Sequence, residues 1–333
     1  MKMRLHYLAI ALASLLPAAL AHGQNLFEAG GNGNIYEFTP NGGSSTFALG
    51  LGYPAGLAFN SAGDLFEADL YSGNIYEFTP NRGSSTFASG LDGPAGLAFN
   101  SAGDLFEANA NTNIIYEFTP NGTRSTFATG SDLYGPTGLA FNSAGDLFEA
   151  GNVMGTIYEF TPNGGSSTFA TGLRFPLGLA FDSAGDLFVS DGSGNIYEFT
   201  FNGMMSTFAS GLSQPSGLAF NKAGDLFEAD YGSGNIYEFT TNGTRGTFAA
   251  GLDYPVGLAF QGITLPVPEP STWALVGLGL SALLVFRRRR ATRLTKVIRQ
   301  RLASGALMLG AVLLLAANAQ GQNLFETGCR SVD

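Results

Sequence analysis

Residues 54–78 read Pro54-Ala55-Gly56-Leu57-Ala58-Phe59-Asn60-Ser61-Ala62-Gly63-Asp64-Leu65-Phe66-Glu67-Ala68-Asp69-Leu70-Tyr71-Ser72-Gly73-Asn74-Ile75-Tyr76-Glu77-Phe78. Three short strand-like segments lie here: Gly-Leu-Ala-Phe, Leu-Phe-Glu-Ala and Ile-Tyr-Glu-Phe. A fourth, Thr86-Phe87-Ala88, follows. Aromatic and β-branched residues suit strands, whereas the Gly, Asn, Asp and Ser between them suit turns. We label the four segments A, B, C and D in that order. Segment A begins again at Gly96, Gly138, Gly178, Gly217 and Gly257. Segment B begins at Leu26, Leu65, Leu105, Leu147, Leu187 and Leu226, so the repeat is 39 to 42 residues long.

Each repeat therefore carries four short strands joined by tight turns, a four-stranded antiparallel meander. Meanders of this length, repeated four to eight times, build β-propellers. The chain enters at strand B (Leu26) and leaves at strand A (Gly257), with six strands of each kind and none left over. The expected fold is all-β: a six-bladed propeller over residues 24–261, closed by the C-terminal strand A pairing with the N-terminal strand B. Residues 257–260 are expected beside residues 26–29. Asn-Gly follows strand C at Asn41, Asn121, Asn163, Asn202 and Asn242. This pair tolerates the positive φ of a type I′ hairpin, which is the turn expected there.

Composition agrees with many strands and turns. Of 333 residues 47 are glycine, 28 Phe and 12 Tyr, and only 13% are charged. A disordered chain has few aromatics and many charges. Residues 24–261 hold 23 acidic and 5 basic side chains, a formal −18, which excludes nucleic acid as a partner. That same span has no His, Trp or Cys: His6 and His22 precede it, and Trp273 and Cys329 follow it. A single Cys rules out a disulfide framework.

The two ends read as addresses. Residues 1–23 combine basic Lys2 and Arg4, an apolar run from Leu8 to Leu20 and the small-residue cleavage pattern Ala21-His22-Gly23. This is a secretory signal peptide cleaved after Gly23. The alternative, an uncleaved membrane helix, has a run short of the ~20 residues that a span needs. In residues 262–290, Pro268-Glu269-Pro270 precedes an apolar stretch from Trp273 to Phe286 and then Arg287-Arg288-Arg289-Arg290. Residues 291–333 form a basic and apolar tail in which Gly321–Gly328 matches Gly23–Gly30 at seven of eight positions. The tail reads as a second signal peptide and first strand, the front of a tandem paralogue fused to this chain. A second membrane segment is the alternative.

The order motif, apolar helix, arginine cluster resembles the PEP-CTERM sorting signal. The resemblance implies export in a Gram-negative bacterium that makes exopolysaccharide. The tail would be held transiently in the inner membrane and processed by an exosortase. The protein would then reach the cell surface or extracellular matrix. The repeats resemble NHL-repeat and gluconolactonase-like propellers through Pro-x-Gly-Leu-Ala-Phe-Asn, Ala-Gly-Asp-Leu-Phe-Glu-Ala-Asp and Gly-Asn-Ile-Tyr-Glu-Phe. That likeness implies the fold, and it keeps a metal-dependent lactonase or lyase in view, because such enzymes hold a metal by carboxylates and an amide near the channel.

Two residue sets are candidates for function. Strand B carries Glu28, Glu67, Glu107, Glu149 and Glu228, with Val189 in the sixth place, and strand C carries Glu37, Glu77, Glu117, Glu159, Glu198 and Glu238. Equal copies in nearly every blade read as architectural, with each Glu expected at a strand edge and bonded to Thr, Ser, Tyr or water. Binding of Ca2+ or another divalent cation is the alternative. The B–C and D–A loops share one face and vary between repeats. They hold Tyr53, Tyr71, Tyr134, Phe175, Tyr231 and Tyr254 among Asp and Asn residues. Aromatic faces beside short polar groups suit stacking on sugar rings, with Asp and Asn holding hydroxyls. The expected protein is a non-enzymatic surface or matrix propeller that binds neutral polysaccharide through these six rings, with no catalytic residue and no resident cofactor beyond such a cation.

Overall fold

The structure is a computed structural model and describes residues 23–130 and 133–262. The chain divides into two units, 1–267 and 268–333, and every described residue lies in the first. The expected signal peptide, sorting signal and tail fall outside the described residues, apart from Gly23. Among the described residues no helix is long and apolar enough to cross a membrane.

The described chain forms 24 strands in six four-stranded antiparallel sheets. Blade 2 is typical, with strand A at Pro54–Phe59, B at Leu65–Asp69, C at Asn74–Phe78 and D at Ser84–Ala88. Blade 1 is assembled from both ends of the propeller. Strands B (Leu26–Gly30), C (Asn34–Phe38) and D (Ser44–Ala48) take their strand A from Pro255–Phe260. The register is as expected: Leu26 opposite Phe260, Phe27 opposite Ala259, Glu28 opposite Leu258 and Ala29 opposite Gly257. The seam is fastened by the N–H of Gln261 donating to the carbonyl of Asn25 (3.0 Å) and by Nε2 of Gln24 donating to the carbonyl of Gln261 (2.9 Å).

The strand A glycine explains why this strand is innermost. A Cβ on Gly56 would overlap the carbonyl oxygen of Ala95, and one on Gly96 that of Thr137. The same holds around the ring, ending with Gly257 against Ala55. Neighbouring A strands thus approach backbone to backbone, which only glycine allows. Outside this ring the core lies in the seams between blades. Each seam repeats one aromatic cluster. Phe27 of strand B meets Phe47 of strand D and Phe59 of the next blade's strand A, both at 5.0 Å and edge to face. Phe106 meets Phe127 and Phe141 in the same way, at 4.9 and 5.0 Å. Such pairs contribute ~0.5–1.5 kcal/mol beyond burial of their area. The six-fold repetition of Phe therefore holds blade to blade.

The C–D hairpins differ from the expected type I′ turn. In blade 1 the N–H of Gly42 donates to the carbonyl of Thr39 (2.9 Å), so the central residues are Pro40 and Asn41. Only Gly42 has a positive φ, 78°. Proline locks φ near −65° and suits the first central position of a type I turn, so the glycine supplies the left-handed residue that follows. In blade 2 the non-glycine Arg82 takes that place at φ 64°. Its guanidinium bonds Oε2 of Glu37 (3.1 Å) and the carbonyl of Thr46 (3.2 Å) in blade 1.

Candidate functional site

The strand B glutamates do not sit at strand edges as expected. Glu28, Glu67, Glu107, Glu149 and Glu228 are fully buried, and neither carboxyl oxygen of any of them has a hydrogen-bond partner. Register places them between apolar and aromatic neighbours: Glu67 lies beside Leu57 and Tyr76 on one face of its sheet. Strand A already lines the ring, so these carboxyls lie in the seams between blades. Burial pushes them up, to about 8 for Glu28, Glu107 and Glu149 and about 9 for Glu67 and Glu228. Neighbouring Asp69 and Asp230 add to the rise at Glu67 and Glu228. The strand C glutamates, for which the same was expected, do reach partners. Glu37 accepts from Nδ2 of Asn25 (2.7 Å), and Glu117 and Glu198 accept from Ser125 and Ser206 (both 3.4 Å).

The B–C and D–A loops are bonded to one another along their shared face. The N–H of Leu70 donates to the carbonyl of Tyr53 (3.0 Å), that of Tyr231 to Gln214 (3.0 Å), and that of Gly31 to Tyr254 (2.9 Å). Strand B ends in an aspartate that pins these loops. Asp69 accepts from the N–H groups of Gly52 (2.6 Å), Tyr53 (3.2 Å), Tyr71 (3.2 Å) and Ser72 (2.9 Å). Asp230 accepts from Ser213 (2.7 Å) and Ser233 (3.0 Å). Asp69, Asp191 and Asp230 are buried beneath the loops they hold. They position the aromatic loops and are not the exposed partners for sugar hydroxyls that the sequence suggested. Their recurrence at one strand position in three blades was the available signal for that role.

Four of the six loop aromatics come together. Tyr53 and Tyr71 pack at 5.1 Å between centroids, tilted by 41°, and Tyr231 and Tyr254 at 5.0 Å, tilted by 33°. Burial, and next the hydroxyls of Tyr231 and Tyr71, push the Tyr53 hydroxyl up. Blade 1 makes room for them. A Cβ on Gly31 would lie 2.9 Å from Cβ of Tyr254 and 3.4 Å from the Tyr53 ring. The tyrosines of blades 2 and 6 thus converge over the bare loop of blade 1. Tyr71 is 74% exposed and Tyr254 56%. A shallow depression of about 240 Å³ lies between Tyr231 and Tyr254 with Asp253 on its wall. Tyr134 and Phe175 are exposed in their own loops and make no ring contact among the described residues.

Tyr254 also holds a left-handed backbone, at φ 56°, as does Phe175 at 50°. Gly93 and Gly135 fill the equivalent pre-proline position in blades 3 and 4. A left-handed non-glycine residue costs ~1–2 kcal/mol. Among the described residues no group of three His, Cys, Asp or Glu side chains is placed to hold a metal.

Residues 266–290 match the family model of the PEP-CTERM protein-sorting motif. The chain carries a PEP-CTERM sorting signal. The PEP-CTERM motif indicates an exported protein with a C-terminal, membrane-anchored signal that an exosortase processes. No curated protein matches the PEP-CTERM chain as a whole. Solved structures match its propeller. The structure of a nidogen/laminin complex matches with a TM-score of 0.65 at 18% identity, covering 72% of this chain and 98% of that one. Virginiamycin B lyase from Staphylococcus aureus matches with 0.57 at 18%, covering 69% and 83%. A putative gluconolactonase matches with 0.57 at 15%, covering 65% and 87%. At these identities the likeness concerns the fold.

Proposed function

We propose that the mature protein is a non-enzymatic propeller at the cell surface or in an extracellular polysaccharide matrix, where its tyrosine quartet binds neutral glycan. The observation that carries this reading is the convergence of Tyr53, Tyr71, Tyr231 and Tyr254 over Gly31. Tyrosine offers a rigid face at low entropic cost, because only two χ angles are fixed. Weak contacts on one rigid platform gain strength along a polymer by multivalency. The formal −18 of residues 24–261 disfavours acidic polymers, so the ligand class is neutral.

The test is retention of the exported protein on neutral and acidic polysaccharides. Tyr71→Ala and Tyr254→Ala should each weaken retention on the neutral polymer by roughly tenfold, the effect of losing about 1.4 kcal/mol. Tyr134→Ala, outside the quartet, should leave it nearly unchanged. Equal retention by all three variants, with folding intact, would remove the reading.

The second reading is a lyase or lactonase, favoured by the virginiamycin B lyase and putative gluconolactonase folds. A catalytically inactive form of that lyase carries a histidine-to-alanine change, whereas residues 24–261 contain no histidine. This difference supports the binding reading. Turnover of a lactone or macrocyclic ester by the exported protein would reverse the choice.

A further inference from the structure

The two faces of the ring differ in what they expose. The A–B and C–D turns share one face, opposite the B–C and D–A loops. Leu26 pairs with both Phe260 and Phe38 at that end of blade 1, and Leu187 with Phe181 and Phe199 at that end of blade 5. The exposed large apolar residues of the loop face are spread over several blades. On the turn face, among the described residues, they are Phe201, Met204 and Met205. All belong to one C–D turn of blade 5, where strand C (Asn195–Phe199) passes into strand D (Met205–Ala209). They are 76%, 66% and 56% exposed.

The repeat does not call for these residues. The same positions hold Pro40, Gly43 and Ser44 in blade 1 and Thr241, Thr244 and Arg245 in blade 6. The turn is nonetheless fixed. The N–H of Phe201 donates to Oδ1 of Asp186 in the A–B turn (3.0 Å), and that of Gly203 to the Thr200 carbonyl (2.7 Å). Three apolar side chains thus stand together on a rigid tip, an arrangement that is unfavourable in water until something covers it.

The course of the chain points to what covers it. Strand A of blade 1 ends at Phe260 on this same face, and Gly262 follows beside Lys222 of the blade 6 A–B turn. The sorting signal begins at residue 266 and its apolar stretch at Trp273. From Gly262 to Trp273 the chain spans about 40 Å at most, even fully extended. A membrane-held signal therefore tethers the turn face close to a bilayer. The formal −18 of residues 24–261 excludes attraction to anionic headgroups as the driving force, which leaves apolar insertion.

We propose that the Phe201, Met204 and Met205 tip of blade 5 inserts into the lipid bilayer surface while the C-terminal signal is held in the membrane, and leaves it when processing removes the tether. Three side chains alone make a weak anchor. The tether raises their effective concentration at the surface, and its loss lets the propeller go. The tyrosine quartet lies on the opposite face, so this inference goes beyond the glycan reading and does not rest on it.

The experiment is methionine oxidation by dilute peroxide, which passes one oxygen atom to the thioether sulfur and leaves water. Met154, on the loop face and 56% exposed, is the internal reference. In the exported, processed protein in buffer, Met204 and Met205 should oxidise at the rate of Met154. In the full chain reconstituted in phosphatidylcholine vesicles, both should slow by roughly threefold or more relative to Met154, because oxidation follows exposure. Added salt should not change this. Phe201→Thr combined with Met205→Arg copies blade 6 and should return Met204 to the Met154 rate. Glycan retention, read on the other face, should stay unchanged in this variant, so the two readings fail separately. Equal relative rates in vesicles and buffer, or protection of Met204 that survives the double substitution, would overturn the proposal. So would protection that fades as the chain is diluted in lipid, which would mark contact with a second copy.

Discussion

Glu149 lies between Leu139 and Tyr158 in the register of blade 4, and its carboxyl oxygens have no hydrogen-bond partner. Burial raises it from 4.5 to about 8. The folded protein therefore keeps a proton that the unfolded chain releases. The stability linked to this group is complete below about pH 4.5, declines as pH rises and is gone above about pH 8. Blade 5 shows the alternative, with Val189 at the same position. Glu149→Val should stabilise the protein by about 1–3 kcal/mol at pH 8, the cost of an unpartnered buried polar group, and by less at pH 5. Denaturant titrations at the two pH values measure this, and a difference that ignores pH would mean the carboxyl has found a partner. Tyr254 gives a second prediction at this scale. Tyr254→Gly removes the left-handed strain of ~1–2 kcal/mol while losing a ring contact of ~0.5–1.5 kcal/mol. Its melting temperature should stay close to wild type while glycan retention falls. A large fall in melting temperature would make the ring a structural prop.

Strand A shows why one element repeats with so little change. Its glycine faces the next blade's backbone, so the spacing of six sheets depends on an absent side chain. Gly96→Ala should cost about 1–3 kcal/mol, the usual cost of overpacking, because the methyl group overlaps the Thr137 carbonyl. Gly246 in the last strand D has no atom within 4 Å of a Cβ and stands where the other blades have Ser. Gly246→Ser should be neutral or slightly stabilising. Thermal unfolding of the pair compares the two glycines directly, and equal effects would deny strand A its role as the close contact.

At the scale of the molecule, closure rests on one six-residue strand brought from the far end of the propeller. Pro255–Phe260 pairs with Leu26–Gly30, and Phe260 meets Phe227 across the seam at 5.0 Å. Deleting residues 255–260 leaves the buried strand B of blade 1 as an open edge, a template for pairing with other chains. The deletion variant should aggregate at concentrations where the intact protein is monomeric. A soluble monomer, seen by light scattering, would show that five complete blades hold the ring. Export adds a prediction about the ends. Mass spectrometry of secreted protein should find an N-terminus near Gln24 and no peptides from residues 302–333. Recovery of those peptides would mean that processing after Pro268-Glu269-Pro270 does not occur.

The sequence by itself determined the blade count, the strand order and the closing register. Six copies of a four-segment pattern have one way to close without a spare strand, and side-chain alternation allows one register. It also determined the address, because Pro268-Glu269-Pro270, the apolar run and Arg287–Arg290 are read locally. The turn chemistry was only half legible: Asn-Gly marked the hairpin, but only its glycine is left-handed, in blades 5 and 6 with Phe201 and Thr241 as in blade 1 with Pro40. What only the tertiary structure decided concerns residues whose surroundings come from another blade. Period-2 patterning says that Glu67 shares a face with Leu57 and Tyr76, but not that the neighbouring blade seals that face from water. Nor does it say that Asp69 turns inward to hold two loops, or that Tyr53, Tyr71, Tyr231 and Tyr254 meet while Tyr134 and Phe175 stay apart. Residues more than 200 positions apart, such as Asn32 and Asp253, became neighbours because the ring closes.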